Sequence, residues 1–88
     1  MMLKSTTSSK RKKRKLKLYL IDDELNSFEH VITVLTALMP ACNTLRAESI
    51  AMIVHTAGIC QIATGAGPDI FVLYAQLKKA GLTVELKR

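Results

Sequence analysis

Leu16-Lys17-Leu18-Tyr19-Leu20-Ile21-Asp22-Asp23-Glu24-Leu25-Asn26-Ser27-Phe28-Glu29 is the stretch in which the chain changes character. Its first residues alternate apolar with polar and then turn fully apolar, the pattern of a strand packed on one face. Asp22-Asp23-Glu24 ends that strand, since three adjacent carboxylates repel one another and require water or a cation. Asn26 then suits a helix N-cap, and Glu29, three residues on, can reach back to close a capping box.

Downstream, Phe28, Val31, Ile32, Leu35, Leu38 and Met39 recur at spacings of three and four. They give a first helix one apolar face, and Pro40 stops it. A second helix begins near Asn43 or Thr44, carries Leu45, Ala47, Ile50, Ala51 and Val54, and runs to Thr56, with Gly58 as its left-handed terminator. Residues 59–64 read as a short strand. Gly65-Ala66-Gly67-Pro68-Asp69 is a turn that also starts a helix, because proline suits the first helical position and an aspartate complements the dipole there. That helix carries Ile70, Phe71, Leu73, Tyr74 and Leu77 and ends at Gly81, and residues 82–86 alternate as a closing strand. The order β-α-α-β-α-β predicts the α+β class: a two-layer domain, its three-stranded, mainly antiparallel sheet covered on one face by three helices.

The net charge of +6 does not describe this body. Lys4, Lys10, Arg11, Lys12, Lys13, Arg14, Lys15 and Lys17 all precede residue 18, whereas residues 18–88 hold five basic side chains against seven acidic ones. Residues 1–15 read as a disordered basic N-terminal tail and residues 16–88 as a single domain. No apolar run approaches the ~18–20 residues of a membrane span, and the N-terminal segment lacks a secretory apolar core. Cys42 and Cys60 stand in no CxxC spacing and read as two thiols of a reducing cytoplasm.

The acidic triplet could hold a metal, act as an acid/base pair, receive an ammonium group, or simply be a solvated turn. EF-hand spacing is absent, and the only histidines are His30 and His55. His55 falls in the last turn of the second helix, where the dipole favours it. Neither GxSxG nor HExxH occurs, and Gly65-Ala66-Gly67 lacks the Lys-Ser/Thr of a phosphate loop. The chain is therefore expected not to be an enzyme and to use no metal or cofactor.

Residues 18–32, Leu-Tyr-Leu-Ile-Asp-Asp-Glu-Leu-Asn-Ser-Phe-Glu-His-Val-Ile, resemble the opening of the ClpS family, where a strand ends in an Asn-Asp-Asp turn before the first helix. Ala51-Met52-Ile53-Val54-His55-Thr56-Ala57-Gly58 resembles that family's second-helix ending, and Lys78-Lys79-Ala80-Gly81-Leu82-Thr83-Val84-Glu85 its final helix, glycine and last strand. The resemblance implies a cytoplasmic, monomeric adaptor. Such an adaptor binds the N-terminal residue of a substrate (an N-degron of Leu, Phe, Tyr or Trp) and delivers it to a ClpA- or ClpC-like AAA+ unfoldase of a Clp protease. By position, Asp22, Asp23 and His55 would hold the amine. Phe28, Val31, Ala51, Val54 and Val84 would wall a hydrophobic pocket. Asp69 falls at or near a position where the family uses a lysine to engage the unfoldase. Asp22 stands where the family has Asn, and Ile59 follows Gly58 where Lys is common.

The alternative is a small basic-tailed module bound to RNA or the ribosome, since residues 10–15 attract polyanions by counterion release. No aromatic residue interleaves that run, which argues against sequence-specific stacking. Deleting residues 1–15 separates the two readings. In titrations, affinity for a Leu-initiated peptide should survive the deletion, whereas any affinity for a polyanion should vanish.

Overall fold

The computed structural model describes residues 15–88; the basic tail expected over residues 1–15 lies, Lys15 apart, outside the described residues. The elements are β1 (Leu16–Ile21), α1 (Phe28–Leu38), α2 (Thr44–Ala57), β2 (Ile59–Gly65), α3 (Pro68–Lys79) and β3 (Thr83–Lys87). The sheet order is β2-β1-β3, and both neighbours of β1 run antiparallel to it. The sheet is thus wholly antiparallel, and α3 carries the chain past β1 from one edge strand to the other.

The alternation in β1 sets the two faces. Leu18 and Leu20 point into the helices and are fully buried with Leu35 of α1 and Leu77 of α3. Ile62 of β2 and Val84 of β3 complete the sheet side of that core. Pairing shifts between Leu18 and Tyr19, which face Ala63 and Gln61, so Ile62 is the extra residue of a bulge. On the outer face, Lys87 sits over the Tyr19 ring at 5.6 Å and lies 3.6 Å from Glu85, an exposed pair that adds little.

Helix ends follow local chemistry, with one correction. The N-cap of α1 is Ser27, not Asn26: the Ser27 side chain accepts from His30 N at 3.0 Å. Asn26 is diverted because its amide donates to Asp23 and to the Gly81 carbonyl, so no capping box forms with Glu29. Met39 leaves the helix in an extended conformation, as the residue before Pro40 must. Asn43 caps α2, accepting from Arg46 N at 2.8 Å. At the end of α3, Leu82 N reaches Leu77 O and Gly81 N reaches Lys78 O, closing a Schellman turn around Gly81 at φ +96.

Gly58 ends α2 in the left-handed region, φ +88, with its N–H on Val54 O. Its carbonyl then accepts from Asp22 N at 2.9 Å, joining the end of α2 to the exit of β1. A Cβ at Gly58 would meet no atom within 4 Å, so only backbone strain opposes it. Gly58→Ala should therefore cost about 1–2 kcal/mol in urea unfolding.

Candidate functional site

The bond from Asp22 N to Gly58 O places the acidic turn against the last turn of α2. A cavity of about 380 Å³ lies between them, at the small end of the ligand-pocket range. Asp22, Asp23 and His55 all contribute to its lining. So do Phe28 and Val31 from α1, and Ala51 and Val54 from α2. The side chains of Ala51, Val54 and His55 lie along one face of α2 because they are three or four residues apart. Phe28 and Val31 meet them for the same reason across the helix pair.

One expected wall residue lies elsewhere. Val84 does not line this cavity; it is buried in the core beneath the sheet. Leu82 lies instead on a narrower recess of about 20 Å³, with Leu20. That recess shares Asp22, Asp23, Asn26, Val31 and Val54 with the larger cavity, and so deepens it. The resemblance placed Val84 in the wall; Leu82, two residues earlier and buried on the same side of the chain, is next to Thr83, whose hydroxyl meets Asp23. Asp69 sits in the first turn of α3, on a separate depression formed with Leu38, Met39, Pro40 and Val72.

The three carboxylates of the triplet are not equivalent. Asp23 Oδ1 accepts from Leu25 N at 2.8 Å, from Asn26 N at 3.0 Å and from Asn26 Nδ2 at 3.0 Å. Asp23 Oδ2 accepts from Asn26 Nδ2 at 2.9 Å and from the Thr83 hydroxyl at 2.6 Å. A carboxylate offers about four lone-pair sites, so a ligand amine reaching Asp23 would compete with these internal donors. Asp23, expected to hold the amine, lines the cavity with both oxygens engaged within the turn. Asp22 and Glu24 are exposed at the rim of the cavity, and among the described residues neither accepts a side-chain hydrogen bond. Glu24 was the third member of a visible triplet; nothing in the residue types told which of the three would be engaged internally.

The Thr83 hydroxyl does most to hold the Asp23 carboxyl below its ordinary value of 3.8; burial, next in size, opposes it, and the Asn26 amide and the two backbone N–H groups add to the lowering. His30 does not join the cavity: its Nε2 donates to Ala80 O at 3.0 Å. Cys42 and Cys60 are free thiols, and burial pushes Cys60 up while the Arg46 charge pulls it the other way. Among the described residues no group of three His, Cys, Asp or Glu could hold a metal ion, and no helix is long and apolar enough to cross a membrane.

A stabilised anion has a defined pH signature. The Asp23 carboxyl is depressed in the folded state, so its stabilisation is present above about pH 3.9 and is lost as pH falls through the folded value. Thermal midpoints measured from pH 6 to pH 2 should show this loss in the wild type. In Asp23→Asn the midpoint should already be lower at pH 6 and should fall less on acidification.

The family model described as ATP-dependent Clp protease adaptor protein ClpS matches residues 11–85. A search of the curated proteins gave no match.

Proposed function

The chain belongs to the ClpS family of ATP-dependent Clp protease adaptors, and from that premise we propose that it captures substrates by a free N-terminal residue of the Leu, Phe, Tyr or Trp class. The observation that carries this reading is the convergence of Asp22, His55 and an apolar wall on one cavity. An exposed α-amino group has a pKa of about 7.7–8 and is mostly ammonium at neutral pH. It is therefore attracted by carboxylates and can donate to them and to a neutral imidazole.

Asp22 and His55 are the direct acceptors. Glu24 adds a second free charge at the rim, and Asp23 contributes its charge from within the turn. The side chain of the first residue enters between Phe28, Val31, Ala51 and Val54. Burying one large apolar side chain is worth about 1.5–3 kcal/mol, and each hydrogen bond to a charged group adds about 1.5–3 before ordering costs. Specificity for a chain end then follows, because an internal residue supplies the side chain without the charge. An aspartate at position 22 accepts but cannot donate, so the peptide's own carbonyls gain no partner there.

The clients are passed to an AAA+ unfoldase of the Clp type. Asp69 and the apolar depression beside it are separate from the cavity, so the docking role proposed for Asp69 leaves the cavity free to hold a substrate while the adaptor is docked.

Fluorescence titration with Leu- and Phe-initiated peptides tests the reading. Acetylating the peptide amine should lower affinity by at least about tenfold, the loss of one charge-assisted bond. His55→Ala should lower affinity for the free peptide by a similar factor. Equal affinity for free and acetylated peptide would defeat the proposal.

A further inference from the structure

The acidic turn is tied down by Asn26, which lines the cavity, and by Thr83 and His30, which do not. Thr83, the first residue of β3, pairs with Ile21 in the sheet and donates its hydroxyl to Asp23 Oδ2 at 2.6 Å. It lines neither the cavity nor the recess beneath it. Asn26 donates to both Asp23 oxygens and to Gly81 O at 2.9 Å. His30 donates to Ala80 O at 3.0 Å. The turn that carries Asp22 and Glu24 is thereby fastened to the connection between α3 and β3, about sixty residues away in sequence.

We propose that this clasp is a positioning device for the bound amine, in which Thr83, without touching the peptide, sets affinity by fixing Asp22 and Glu24 relative to His55. The inference rests on the amine-capture reading above and assigns part of its strength to a residue on β3. Free carboxylates on a loose turn must be ordered when the ammonium arrives, and that ordering subtracts from affinity. Donors that hold Asp23 from three directions remove most of that cost beforehand. Asp23 is the knot and the carboxylates on either side of it are the grip. Thr83 is exposed and β-branched, so a valine keeps both its shape and its strand preference while deleting the single hydroxyl.

The test uses the full chain with Thr83→Val and Thr83→Ser, titrated with a Leu-initiated peptide at a temperature where circular dichroism shows each variant folded. Thr83→Val should weaken binding about tenfold, and Thr83→Ser should restore it to within about twofold. In an Asp22→Ala background the Thr83→Val loss should shrink to about threefold or less, because one of the positioned groups is gone. A merely structural role would give the same loss in both backgrounds. Wild-type affinity in Thr83→Val, or an undiminished loss in the Asp22→Ala background, overturns the clasp while leaving amine capture standing. A wild type that binds free and acetylated peptide alike overturns amine capture, and with it any role of the clasp in affinity.

Discussion

One backbone hydrogen bond organises the functional end of this molecule: Asp22 N on Gly58 O, at 2.9 Å. It can form only because Gly58 adopts a left-handed conformation that turns its carbonyl away from the axis of α2 and toward the exit of β1. With that bond made, the last strand residue of β1 and the last turn of α2 are neighbours. Asp22 and His55, far apart in the chain, then share one cavity. Loosening this junction would separate the charge from the imidazole even if every side chain were kept.

Around the junction, polar groups divide into those that hold the site and those left for a ligand. Asp23 sits at the centre of five hydrogen bonds from Leu25, Asn26 and Thr83, which is why its carboxyl stays ionised more readily than usual. Asp22 and Glu24 flank it and face solvent. Such a turn has a clear electrostatic logic. One internally satisfied anion fixes the backbone, and two unsatisfied ones project a negative field into a small apolar-walled space. In the proposed capture of substrates, that combination is what selects a cationic chain end over a neutral side chain.

The remaining elements serve this end of the fold indirectly. The central position of β1 lets both edge strands support the residues leading into the turn: β2 pairs with it through Ile59 opposite Ile21, and β3 through Thr83 opposite the same residue. The core leucines, Leu18, Leu20, Leu35 and Leu77, lock α1 and α3 onto the sheet. Packing of α1 on α2 then brings Phe28 and Val31 to face Ala51 and Val54 across the cavity. The side-chain hydrogen bonds at Gly81 and Ala80 add a second anchorage on the opposite side of the turn.

Much of this was determined by sequence alone. The period-two run ending in carboxylates fixed β1, the three–four spacing fixed α1, and Pro40, Gly58, Pro68 and Gly81 punctuated the rest, because these signals are local and act through backbone geometry. The apolar wall at Phe28, Val31, Ala51 and Val54 was legible in the resemblance to the ClpS family. Tertiary structure decided what local rules could not. Asn26 looked like a helix cap but was claimed by Asp23 and the Gly81 carbonyl, leaving the cap to Ser27. Asp23 looked like its neighbours until Thr83, sixty positions later, donated its hydroxyl to it. Leu82 rather than Val84 reached the floor of the site: both are buried on the same side of the chain, and the bond from the neighbouring Thr83 to Asp23 sets Leu82 beneath the turn. In each case the residue type offered several partners, and only the three-dimensional neighbour, supplied by a distant segment, selected one of them.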